Sequence, residues 1–312
     1  MRADAVIVGG GTVFKMLDRS TGRRPHSLLA NASALVGSAS LLGRPVAMVG
    51  VGAGRIEGAA ATALTKFLVR RSDLLILRDE ESAEKLSAAG AAGPFRVGAD
   101  PAWTLLGPPE AAGPSRAPRV LVVPSREAAA RVGGPGRLLR LLAATIERLR
   151  ANGLEVALQP WQLDADGIDD DRAIVEDLCG RLGIPDAVMP APGSLPDAVE
   201  SIRGFGAVLC LRFHSLVASA AAGTPAVAVA HEPKLAGLAR RLGQRAVPPD
   251  VSPEELTRAL IEGIDAPGPA PAIVKEEIDR AEEGFRLLRI FLAGGTDESD
   301  RLGALPLVSW PT

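Results

Sequence analysis

The stretch Val208–Lys234, VLCLRFHSLVASAAAGTPAVAVAHEPK, decides the fold. Residues 207–211 form an apolar run of strand length with no helical period, which predicts a strand buried on both faces. Small residues follow, with Ser215 as the expected N-cap of a short helix and Gly223 as its stop. A second buried strand, AVAVA, then ends in His231, Glu232 and Lys234. A unit this tight forces a right-handed parallel crossover, so both strands end at one edge of the sheet. Side chains alternate along a strand, so Arg212 and His214 are expected to share a face while Leu211 and Phe213 take the other. Arg212, His214, His231, Glu232 and Lys234 then gather at the carboxyl edge, where open α/β sheets hold their ligands. A single histidine after a strand is ordinarily a packed or capping residue. Two of the chain's three histidines beside an arginine, a glutamate and a lysine favour a site instead, since an arginine at an apolar strand end needs an anion to meet it.

Working outward, residues 119–126 (RVLVVPSR) read as another buried strand, ending in Ser125 and Arg126. A leucine-spaced helix around Gly136–Asn152 and the strand LEVALQP come next. The run DADGIDDD (Asp164–Asp171) lacks the required glycine and distal glutamate at the spacing of an EF-hand calcium loop and reads as a solvated connection. A helix at Arg172–Leu182, a short strand near Ala187–Met189 and a helix at Leu195–Arg203 lead into the central unit. After Lys234, the helix LAGLARRLG and the segment Ser252–Gly263 complete the sheet.

The first half opens on the strand DAVIVGGGT, whose Gly9, Gly10 and Gly11 let the backbone turn tightly and come close to a phosphate or sugar. Three glycines alone match neither the dinucleotide nor the P-loop fingerprint. A helix around Ser27–Leu42, the strand PVAMVGVG and a flexible turn at Gly50, Gly52 and Gly54 follow. The helix from about Ala59 to Arg71, the strand LLILRD, an acid-led helix and the strand FRVGAD bring the count to four strands alternating with three helices. The fold class expected is therefore α/β, with two Rossmann-like parallel-sheet domains facing across a cleft. The Pro/Gly run Gly107–Pro118 separates them, giving an N-terminal domain at 1–110 and a C-terminal domain at 118–266. The amphipathic helix at 272–293 is expected to pack back toward the N-terminal domain, with a loose tail after it.

Composition removes several classes of function. With 312 residues and 47% hydrophobic side chains the chain has a large core and is not disordered. Aromatics are 3% with no tyrosine, which argues against a base-stacking platform, and a formal charge of −2 gives no global field for nucleic acid. Cys179 and Cys210 are isolated thiols, suited to neither a zinc site nor a disulfide framework, and no metal is expected. With no signal peptide and no span of membrane length, the expected location is the cytoplasm, free or peripheral to the inner face of the membrane.

The segments DAVIVGGGTVF, GVGAG, VRRSDLLILRDEESAEKL, VGADPA and LRFHSLVASAAAGTPAVAVAHEPK resemble, in order and rough spacing, the polysaccharide pyruvyl transferase family. The specific element is the R-x-H pair Arg212/His214 followed by the E-P-K turn Glu232–Lys234. The resemblance implies a GT-B-like enzyme that uses phosphoenolpyruvate to place a pyruvate ketal on a sugar of a cell-surface polysaccharide, with no cofactor. It implies a small-molecule donor and a polysaccharide or lipid-linked glycan acceptor as partners. His214 would be the acid/base and Arg212 and Arg126 would bind the donor. Lys234, Glu232, Ser125, Gly9, Gly10 and Gly11 complete the expected substrate contacts. Two departures concern the acceptor side: relatives begin with a further strand, turn and helix, so the N-terminal domain is incomplete by that measure, and Lys15 and Met16 stand where Gln and Asp are common. A sugar-nucleotide glycosyltransferase or epimerase is the alternative on the same architecture, and a shortened non-catalytic relative is the second.

Overall fold

A computed structural model describes residues 3–17, 23–107, 117–163, 170–294 and 307–308. The expected linker falls almost wholly outside them, as do most of the acidic run and of the tail. The chain divides into two compact units, residues 1–104 with 276–312, and residues 105–275.

The first unit begins with β1 (Val6–Gly9), β2 (Thr12–Phe14) and α1 (Ser27–Leu41), followed by β3 (Val46–Ala53) and α2 (Gly58–Arg71). It continues through β4 (Leu74–Leu77), α3 (Glu80–Ala88) and β5 (Phe95–Val97). Strands β1, β3, β4 and β5 lie side by side and parallel, as the alternation of strands and helices requires. Side chains on β3 and β4 alternate between two apolar layers: Val46, Met48, Val51, Leu75 and Leu77 face one, Ala47, Val49 and Ile76 the other.

Strand β3 corrects the expectation of a flexible turn at Gly50, Gly52 and Gly54. It runs through Gly50 and Gly52 and is buried over all eight residues. Gly50 has φ +65°, and the register against β4 shifts between Val49 and Val51, so the glycine kinks the strand without ending it. The first half of β3 pairs with β1; beyond the kink, Gly52 and Ala53 pair with Thr12 and Phe14 of β2.

The second unit holds β6 (Ala117–Val123), α4 (Pro135–Ala151), β7 (Glu155–Leu158), α5 (Arg172–Leu182), α6 (Leu195–Ile202) and β8 (Phe205–Cys210). After these come α7 (Phe213–Ala221), β9 (Ala226–Val229), α8 (Pro233–Arg241), β10 (Arg245–Val247) and α9 (Pro253–Ile264). Its five strands are all parallel in the order β10-β9-β8-β6-β7. Val120, Val122, Leu209, Val227 and Val229 enter one core with Leu138, Leu142, Ile146, Leu256 and Leu260 from α4 and α9. Burying such side chains completely contributes about 1.5–3 kcal/mol each. Helix α9 starts in a capping box, Ser252 with Glu255. The short strand expected near Ala187–Met189 is instead a 3₁₀ turn at Pro185–Ala187 and one bridge between Leu158 and Val188. Pro190, just beyond, has no N–H to extend a ladder.

Helix α10 (Pro271–Leu292) places Leu287 and Leu288 against Ala47, Val49 and Ile76. Gly284 faces the same side chains: a Cβ there would stand 3.8 Å from Ile76 and Val49, an ordinary packing distance. In the expected loose tail, β11 (Leu307–Val308) pairs antiparallel with β5, an addition to the parallel sheet that its two residues did not announce.

Candidate functional site

In the second unit the strand order reverses direction between β6 and β8: one crossover runs outward to β7, the next back over β6 to β8. The carboxyl ends of two such adjacent strands diverge into loops on opposite sides and leave a crevice. Ser125 and Arg126 follow β6, and Arg212 and His214 follow β8, so the topology sets these four residues around the switch point. Glu232 and Lys234 follow β9, the next strand in the sheet.

The local reading of the turn needs one correction. Strand β8 ends at Cys210, and helix α7 already begins at Phe213, with Arg212 as its extended N-cap. Ser215 is therefore inside the first turn, where its Oγ donates to the Arg212 carbonyl at 2.7 Å. Arg212 and His214 are related by this turn and not by strand alternation. Arg212 is half-buried and His214 exposed, with the imidazole edge-on to Phe213 at 5.5 Å between ring centres.

Arg212 is held by Asp171, the last residue of the acidic run that reads as a solvated connection. Asp171 is fully buried and accepts from Arg212 Nε and Nη2, both at 2.6 Å. The same carboxylate accepts from the backbone N–H groups of Arg126 (3.0 Å), Gln162 (3.0 Å) and Trp161 (3.3 Å). Gln162 adds its Oε1 to Arg212 Nη1 at 2.8 Å. One carboxylate thus fastens together the segments after β6, β7 and β8. Asp170, also buried, pairs with Arg172. Residues 164–169 lie outside the described part.

A second network stands at the end of β9. Glu232 lies between Lys234 Nζ at 2.6 Å and Arg131 at 2.9 Å, and Arg131 also pairs with Glu127 at 3.3 Å. Burial raises the Glu232 pKa, but the charges of Lys234 and Arg131 outweigh it and bring the carboxyl down to about 2. Beside it, His231 Nε2 meets the Leu211 carbonyl at 2.8 Å, and burial lowers the pKa of this imidazole. Cys210, enclosed at the end of β8, is pushed up to about 12 by burial and is no nucleophile.

The second unit therefore brings Ser125, Arg126, Arg212, His214, Glu232 and Lys234 to one sheet edge. Ser125 is spent locally: it is buried, and its Oγ accepts from Ala128 N–H in the 3₁₀ turn at Glu127–Ala130. Gly9, Gly10 and Gly11 belong to the first unit, at the turn between β1 and β2. A Cβ on any of the three would meet nothing within 4 Å, so their backbone borders open space. Nearby, the buried Arg78 at the end of β4 bonds Asp79 at 2.9 Å and Thr12 at 3.1 Å, and stands 3.6 Å from Asp100.

Asp171, Gln162 and Arg131 were missed. For Asp171 a signal existed, because a strand-end arginine needs an anion and the acidic run follows β7, two places from β8 in the same sheet. Arg131 carries no comparable mark. Among the described residues no group of three or more His, Cys, Asp or Glu could hold a metal ion, and no helix is long and apolar enough to cross a membrane.

Two parallel-sheet α/β domains of this kind define a GT-B-like protein, and known structures agree. The chain superimposes on the UDP-N-acetylglucosamine 2-epimerase of Methanocaldococcus jannaschii with a TM-score of 0.57 at 14% identity, covering 93% of this chain and 76% of that one. For the S. aureus MnaA–UDP structure the TM-score is 0.58 at 12% identity, covering 93% and 76%. For the sucrose-phosphate synthase of Thermosynechococcus elongatus it is 0.53 at 16% identity, covering 88% and 78%. No curated protein matches the chain in sequence. The polysaccharide pyruvyl transferase family model matches residues 2–233, three-quarters of the chain, and the chain belongs to that family.

Proposed function

We propose that the chain transfers the pyruvyl group of phosphoenolpyruvate to two hydroxyls of a sugar in a cell-surface polysaccharide or its precursor, forming a pyruvate ketal. The observation that carries this reading is the Arg212–His214 turn at the switch point, with the guanidinium fixed edge-on by Asp171 and the imidazole left exposed beside it. Phosphoenolpyruvate presents a carboxylate and a phosphate on adjacent carbons and needs donors for both. The helices α7 and α8 both begin at this edge, and their first-turn N–H groups and dipoles favour anions. A guanidinium has five N–H donors, two more than the three bonds to Asp171 and Gln162 use.

The electrostatics differ from a simple cationic pocket. Arg126, Arg131, Arg212 and Lys234 stand against Glu127, Asp171 and Glu232, so most cations at this edge have a carboxylate of their own. Recognition of the donor on this arrangement relies on aimed N–H groups more than on bulk positive charge.

In the reaction one sugar hydroxyl adds to the central carbon of phosphoenolpyruvate while the methylene carbon takes a proton. Phosphate leaves with the pair of electrons of its C–O bond, the second hydroxyl adds to the same carbon, and its proton is released. His214 donates the proton to the methylene carbon and recovers one from a hydroxyl; its exposed imidazole is a group that can both give and take a proton. Such proton transfer contributes about 10²–10⁴ in rate.

The test is release of inorganic phosphate from phosphoenolpyruvate in the presence of lipid-linked glycan precursors, with calorimetric binding of phosphoenolpyruvate beside it. Binding and acceptor-dependent phosphate release are expected. The S. aureus neighbour is a UDP complex, so UDP is the control ligand. A melting temperature raised by UDP or a UDP-sugar and not by phosphoenolpyruvate would replace this reading with sugar-nucleotide chemistry.

A further inference from the structure

His231 has a bonding pattern that the reaction above does not use. Its Nε2 meets the Leu211 carbonyl at 2.8 Å, and its Nδ1 is buried with no hydrogen-bond partner among the described residues. A carbonyl only accepts, so Nε2 carries the hydrogen and Nδ1 is a bare lone pair. A second proton would sit on a buried nitrogen with nothing to receive it. The charged groups around the ring are Glu232 on its own turn, and Glu127 and Arg131 from the segment after β6.

Leu211 is the residue on which the Arg212–His214 turn hangs. It is completely buried, and its N–H donates to Val123 of β6 at 3.2 Å. The imidazole after β9 takes the other end of the same residue. Leu211 is thereby held from two neighbouring strands, one residue before Arg212 enters the bidentate pair with Asp171.

We propose that His231 is a positioning residue: its Nε2–H, bonded to the Leu211 carbonyl, fixes the peptide that carries Arg212 and His214 and so sets the aim of both. The consequence for catalysis rests on the function proposed above; the restraint itself does not.

The experiment compares His231→Gln, whose side-chain N–H reaches about as far as Nε2 but cannot titrate, with His231→Leu, which has no donor. The first readout needs no substrate: hydrogen exchange of the Arg212 Nε–H, followed by ¹⁵N NMR. His231→Leu is expected to speed that exchange about tenfold or more, and His231→Gln to restore it to within about threefold. The second readout is turnover, with kcat down about tenfold in His231→Leu at similar KM for phosphoenolpyruvate, and recovered in His231→Gln. Unchanged Arg212 exchange in His231→Leu overturns the proposal, as does a glutamine variant no better than leucine. If the leucine variant does not fold, ¹⁵N shifts of the imidazole in the unmutated protein decide: the Nε2–H tautomer is required, and the Nδ1–H tautomer refutes the restraint. Failure of every variant and of the unmutated chain to bind phosphoenolpyruvate would sink the functional reading, while the Arg212 exchange still decides the role of His231.

Discussion

Asp171 and Arg212 form a bidentate ion pair, two bonds of 2.6 Å between a fully buried carboxylate and a half-buried guanidinium. Removing either partner strands the other. Asp171→Ala and Arg212→Ala are each expected to cost about 3–5 kcal/mol of stability, measured by urea denaturation. Arg212→Lys should recover little, since an ammonium cannot span both carboxylate oxygens. A loss below about 1 kcal/mol for Arg212→Ala would show that the pair does not hold the sheet edge together.

His214 is expected to behave oppositely. It is exposed in the first turn of α7, so His214→Ala should change stability by no more than about 0.5 kcal/mol. Phosphate release from phosphoenolpyruvate should fall about a hundredfold with donor binding intact. Donor affinity and turnover lost together would make His214 a binding group.

Glu232 makes stability depend on acid. Its folded carboxyl titrates at about 2 against an ordinary 4.5, so its contribution is complete above 4.5 and is lost as the pH falls toward 2. Its side chain is only 15% exposed, and the contribution at neutral pH is about 3 kcal/mol. The gap in unfolding free energy between the unmutated protein and Glu232→Gln should therefore shrink from about pH 5 downward. A gap that stays constant over that range would mean the ion pairs with Lys234 and Arg131 do not stabilise the fold.

Gly50 admits no side chain. A Cβ there would stand 2.2 Å and 2.4 Å from the ring of Pro101, on a backbone with φ +65°. Gly50→Ala is expected to cost about 2–4 kcal/mol, from the left-handed backbone and the overpacking together, as read from thermal or urea unfolding. A cost within about 0.5 kcal/mol would show that β3 relaxes around the added methyl.

Periodicity made the strands and helices legible: LLIL, RVLVV and AVAV lie where an apolar run of strand length places them. It failed where a short-range rule met a tertiary demand. Ser215 has the chemistry of an N-cap, yet the helix starts two residues earlier, and the serine bonds back to Arg212 instead. Gly50 and Gly52 look like a turn, but a buried strand passes through them because Pro101 and Arg78 occupy the space side chains would take. Asp171 ends a run of acids that reads as solvated, and its burial is explained by Arg212, which follows a strand two places away in the sheet, together with the three backbone N–H groups. Such pairings join residues 41 positions apart, and no local pattern encodes them.

The glycine turn of the first unit has a consequence for what it would cost to use. Gly10 donates to Val49 at 3.1 Å and Gly11 accepts from Gly52 at 2.8 Å, so the loop is stitched to β3 on both sides of the kink. Together with β1 before it and β2 after it, this leaves three glycines, the most flexible of residues, with little freedom to lose. A ligand meeting this turn would find its backbone already ordered, and its affinity would not be reduced by the ordering entropy that a mobile glycine loop imposes.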